Sequence, residues 1–136
     1  MKKIITTGLI LLSFNVFSQD IIKYMAICSS IATFKNNELK SSTSYNAKRE
    51  IIYSSELEYI KIVYPENDNS DFWTLGNIFD SDVENGYKKI YQKAYLKGST
   101  KEEAIIFYWK DNKLARIQRC LTDYGTLFVT TFDIIN

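Results

Sequence analysis

Glu103-Ala-Ile-Ile-Phe-Tyr-Trp-Lys110 and Lys113-Leu-Ala-Arg-Ile-Gln-Arg-Cys-Leu121 stand on either side of Asp111-Asn112. Ile105, Phe107 and Trp109 recur at every second position, so they share one face of an extended chain and point to a core. Asp and Asn both tolerate positive φ, which suits them to a two-residue hairpin loop. The stretch therefore predicts an antiparallel hairpin, and its period-two pattern decides the fold class.

Working outward, the same grammar repeats. Thr122-Asp-Tyr-Gly125 reads as a turn into a last strand, Thr126 to Ile134. Upstream, Tyr87 to Leu96 reads as a strand joined to the hairpin through Lys97-Gly-Ser-Thr-Lys-Glu102, although Tyr87, Ile90, Tyr91, Ala94 and Tyr95 also fit a helical stripe. Asp80 to Gly86 reads as a turn, Phe72 to Phe79 as extended, and Pro65 to Asp71 as a turn cluster holding the single proline. Leu57 to Tyr64 and Glu50 to Ser54 read as strands, and the Ser-rich stretch Asn36 to Lys48 as a polar loop. Asp20 to Lys35 is ambiguous: Ile21, Met25, Cys28 and Ile31 fit a helix, whereas Tyr24, Ala26, Cys28, Ala32 and Phe34 fit a strand. Turn signals every eight to twelve residues predict a mainly β domain, a single antiparallel meander forming a small sandwich or open barrel. An α+β arrangement with an N-terminal helix is the alternative.

Residues 1–18 read as a cleavable signal peptide. Lys2 and Lys3 supply the charged start, Ile4 to Leu12 an apolar run too short to span a bilayer, and Val16-Phe17-Ser18 a small residue at a cleavage point. The ending Phe-Ser-Gln resembles the short signals of exported proteins in Bacteroidota-like Gram-negative bacteria, which implies a periplasmic or extracellular address. No cysteine directly follows the apolar run to take a lipid, and no membrane segment is expected after cleavage. Removing residues 1–18 of 136 leaves 118, a single β-rich domain over 19–136. That mature chain has 15 basic and 16 acidic residues, a balance that gives no pull toward nucleic acid.

An exported address gives the two cysteines, Cys28 and Cys120, a reading as a disulfide. Closing a loop of about 90 residues would stabilise by roughly 4–5 kcal/mol on a chain-entropy account. Two small buried hydrophobes are the plainer reading.

The chain contains no histidine. That removes the commonest general base, excludes Ser-His-Asp and Cys-His catalysis, and leaves too few ligands for a structural zinc. The five glycines are isolated, so no phosphate-binding loop exists and no cofactor is implied. Asp80, Asp82 and Glu84 are the one metal candidate, as a calcium loop, but Gly86 falls at position seven instead of six and Tyr91 takes the place of the closing Glu.

The most suggestive pattern for a ligand is Tyr87, Lys89, Tyr91, Lys93 and Tyr95, which a strand places on one face. Tyrosine rings separated by ammonium groups can stack on sugars and pair with acidic groups, while the same residues also suit an ordinary outer sheet face. Trp73, next to the acidic turn, reads as a partly exposed anchor. The expectation is a non-catalytic binding module for an unidentified glycan or protein. A small carboxylate-dependent hydrolase and an envelope-associated structural protein are the other readings.

Overall fold

A computed structural model describes residues 21–135. The predicted signal peptide therefore lies outside the described residues, and so does Asn136. The described chain is all strand and turn: β1 (Ile21–Lys35), β2 (Glu38–Ser54), β3 (Tyr59–Tyr64), β4 (Asn69–Glu84), β5 (Tyr87–Leu96), β6 (Glu102–Lys110), β7 (Lys113–Asp123) and β8 (Thr126–Ile134). Each strand pairs antiparallel with the next, and β8 pairs back onto β1, closing the meander into a ring.

Local chemistry sets the corners. Four of the hairpins turn on two residues that both carry positive φ: Asn36-Asn37, Asn85-Gly86, Asp111-Asn112 and Tyr124-Gly125. Such loops twist in the sense of the strands they join, and Asn, Asp and Gly occupy that conformation at little cost. Tyr124, at φ 49°, is the unusual member, and the residue is 96% exposed.

Apolar side chains point inward. Trp73 and Phe107 lie at the centre with Ile51, Ile60, Ile62, Ile105 and Ile117, all at most 1% exposed. Each such burial is worth roughly 1.5–3 kcal/mol before ordering costs. The outer faces carry ion pairs such as Lys23–Glu50 and Arg116–Asp133 and the tyrosine-packed Lys89. Among the described residues no helix is long and apolar enough to cross a membrane.

The structure starts β3 at Tyr59 instead of Leu57 and β4 at Asn69 inside the expected Pro65–Asp71 turn, and corrects two boundaries by more. Residues 38–48 form the first part of β2 instead of a loop, and β4 continues through Glu84, leaving only Asn85-Gly86 as the turn. Both segments are exposed on both faces, from Glu38 to Asn46 and from Asn77 to Glu84, so they show no alternation to read. Their extension comes from pairing with β1 and β5. The ambiguous Asp20–Lys35 segment is strand from Ile21 onward. A register shift between Cys28 and Ser30 moves the inward phase from Tyr24, Ala26 and Cys28 to Ile31, which is why the sequence also resembles a helical stripe.

The ring is uneven. β3 pairs only with Glu50–Ser54 on one side and Asn69–Thr74 on the other. Beyond those short ladders, β2 and β4 make no direct contact.

Candidate functional site

β5 is a strand whose Ile90, Ala94 and Leu96 face the core, so Tyr87, Lys89, Tyr91, Lys93 and Tyr95 face outward. The structure brings the first three together with Tyr108 of β6, which lies directly across from Lys89. Lys89 is 9% exposed although it stands on the outer face. Its Nζ sits 5.3 Å from the centres of both the Tyr91 and Tyr108 rings and 3.3 Å from Glu84 Oε2. The Tyr91 hydrogen bond and the Glu84 carboxylate favour the ammonium and raise its pKa, against a smaller opposing effect of burial. Burial raises the Tyr108 hydroxyl as well, so phenol and ammonium both keep their protons.

This cluster is braced from every side. Tyr87 and Tyr108 meet edge to face at 6.3 Å, the Lys110 ammonium lies 5.2 Å over Tyr87, and the Arg116 guanidinium lies 5.7 Å over Tyr108. The Tyr108 hydroxyl donates to Gln118 Oε1 at 2.6 Å, and Gln118 donates onward to Thr131 at 3.1 Å. Tyr91 donates to Asp82 at 3.2 Å. A shallow cleft of about 140 Å³ opens beside the rings, lined by Glu84, Tyr87, Tyr108, Arg116 and Asp133. Lys93 and Tyr95 lie farther along. Lys93 pairs with Glu102 at 3.1 Å, and Tyr95 covers Gly76, where an added Cβ would come within 3.0 Å of the ring.

Trp73 is not an anchor on the surface. It is fully buried, and its indole N–H donates to Glu103 Oε1 at 3.2 Å. The sequence reading took proximity to an acidic turn for exposure. In fact Trp73 sits on the inward phase of β4, two residues from Leu75. Glu103 is 3% exposed and receives Arg119 through two bonds, Nε at 2.5 Å and Nη2 at 3.1 Å. The Arg119 guanidinium lies 5.1 Å over the Trp73 ring. Burial opposes its charge, but the bond to Glu103 and that carboxylate's charge outweigh burial and raise its pKa. Nearby, the Tyr64 hydroxyl donates to Asp71, and the Arg49 guanidinium stacks 4.7 Å over Tyr64 while bonding Glu66 at 3.0 Å. Burial, reinforced by the Asp71 bond, raises Tyr64. Sequence reasoning missed this inward group, yet a signal existed. Glu103 falls in phase with Ile105 and Phe107, and Arg119 with Ile117, so the hairpin register sets an acid and a base diagonally on the inner face.

At the calcium candidate, Asp80, Asp82 and Glu84 lie at alternate positions of β4, each with a partner of its own. Their contacts go to the Ser81 N–H, the Tyr91 hydroxyl and Lys89 respectively. Among the described residues no group of three metal-capable side chains occurs.

The cysteines are both free. Cys28 pairs with Phe132 and points inward, whereas Cys120 pairs with Val129 on the outer phase, with β8 between β7 and β1. A bond between them would have to cross the sheet. Burial pushes the Cys120 thiol from its ordinary 9.0 up to about 11 and also raises Cys28.

Comparison with protein-family models, with curated proteins and with solved structures gives no significant match to this chain.

Proposed function

We propose that this protein is an exported, non-catalytic binding module that engages a glycan through the outward Tyr87–Lys89–Tyr91–Tyr108 cluster. The observation that carries the reading is the packing of one nearly buried ammonium between two tyrosine rings on the outside of the ring of strands. An arrangement held that firmly presents the half-buried rings of Tyr87, Tyr91 and Tyr108 without further ordering cost, which favours contact with a sugar. Lys110 at its rim favours glycans that carry carboxylate or sulfate groups. The export part of the reading rests on residues 1–18.

A glycan array probed with the purified protein tests it. Retention on acidic glycans that Tyr91→Ala removes supports the proposal, and equal signals from both proteins refute it.

A second reading has one observation in its favour. Glu84 and Asp133 line the same cleft, the paired carboxylates that a small hydrolase would need. Each is committed to a cation, Glu84 to Lys89 and Asp133 to Arg116 at 2.7 Å, which favours the binding reading. Release of reducing sugar from a polysaccharide panel, lost in Glu84→Gln, would reverse that preference.

A further inference from the structure

Two stretches of strand lack cover. Glu38 to Asn46 of β2 and Asn77 to Glu84 of β4 are exposed at every residue, on both faces. Each pairs on one side only, β2 with β1 and β4 with β5, because β3 is too short to reach along either. A strand in that state offers a row of free backbone donors and acceptors, ready to accept another strand.

The two edges are complementary. β4 presents Asp80, Asp82 and Glu84 with no base in the exposed stretch, while β2 presents Lys40, paired with Glu38 at 3.1 Å, the small hydroxyl run Ser41-Ser-Thr-Ser44 and, just past the stretch, the exposed Lys48. Each also exposes large apolar side chains: Ile78, Phe79 and Val83 on β4, Leu39 and Tyr45 on β2. Two β4 edges facing each other would set acid against acid, which disfavours a symmetric pairing. Lengths match too. The register of β4 shifts twice between Leu75 and Asp80, then runs regularly from Asp80 to Glu84. A five-residue ladder of that size already joins β2 to β3 within the ring.

We infer that the partner of these edges is a second copy of this chain, with β2 of one molecule adding alongside the Asp80–Glu84 segment of the next. One edge of each kind per molecule makes the contact head-to-tail, so it propagates as chains or closes as a ring of subunits. The contact is carried by backbone bonds and weakened by salt through its charges.

Sedimentation velocity across a range of protein and salt concentrations tests this, with two charge variants. The wild type is expected to grow in mean mass with concentration and to shrink as salt rises. Asp80→Lys/Asp82→Lys alone and Lys40→Glu/Lys48→Glu alone are expected to stay monomeric. Mixed in equal amounts, the two should associate again, because each then meets an edge of opposite charge. Melting temperatures near the wild type value certify that the variants fold. A wild type that stays monomeric at every concentration, association that survives in either variant alone, or a mixture that stays monomeric would each overturn the inference. Lys40 and Lys48 lie on β2, away from the Tyr/Lys cluster. Loss of association in that variant with glycan retention intact would separate this inference from the proposed function.

Discussion

The molecule carries two clusters built from the same kinds of residue, one inside the ring and one outside, and their surroundings differ. Inside, Arg119, Glu103 and Trp73 form a closed set: the carboxylate is saturated by a two-bond guanidinium and an indole, and hardly any of it meets water. Outside, Lys89 sits between Tyr91 and Tyr108 with Glu84 at its tip, but the rings are only half-buried and a cleft opens beside Tyr87 and Tyr108. The inner set must be complete because an unpaired charge there has no water to turn to. The outer set can lose a member and be rehydrated. Stability should therefore depend on the first and recognition on the second.

Removing the inner acid is the most severe way to test that contrast. Glu103→Ala strands Arg119 and the Trp73 indole, and should cost about 3–5 kcal/mol. That corresponds to a fall in Tm of roughly 12–20 °C for a domain of this size. Replacing both partners with apolar residues, as in Glu103→Leu/Arg119→Met, should recover most of the loss, since it removes the desolvated charges together. A single variant that melts like the wild type would break the comparison. Trp73→Phe comes next. It keeps most of the ring volume but leaves one Glu103 bond unmade, for a loss of about 1–3 kcal/mol in chemical denaturation.

Alkaline pH should lower the stability of the fold. Cys28, Cys120, Tyr24, Tyr64 and Tyr108 are raised chiefly by burial, and Lys89 by its bond to Tyr91. A folded-state value above the unfolded one means that the unfolded chain gives up its proton first. The stabilisation is thus full below about pH 9 and declines as pH rises through the range 9.0 to about 11 spanned by Cys120. Thermal melts from pH 7 to 11 should show a falling Tm above pH 9, and a flat profile would contradict the assigned causes. The mildest change is on the outside. Lys89→Met removes the ammonium from between the rings and should cost only about 1 kcal/mol of stability, since its partners stay solvated.

Much of this was legible in the residues. The alternation of Ile105, Phe107 and Trp109 and the Asp111-Asn112 loop specify their hairpin, and the meander follows from repeating that grammar. The outward row of β5 was legible for the same reason: Ala94 and Leu96 fix the inward phase. The β2 arm was not, because Ser41 to Ser44 have no buried face to impose alternation, and pairing with β1 alone keeps them extended. Trp73 was misplaced because nearness in sequence to charged residues says nothing about the phase of a strand. Tyr108 was passed over because its neighbours Phe107 and Trp109 carry the core signal. Only the register between β5 and β6 sets it against Lys89.

The division between an inside for stability and an outside for recognition is tested most directly by one paired measurement: glycan-array retention and Tm for wild type and Lys89→Met/Tyr91→Ala. The account predicts retention of the wild type on acidic glycans, its loss in the double variant, and a Tm within a few degrees of the wild type. Retention unchanged in the variant, or no glycan retained by either protein, would contradict it.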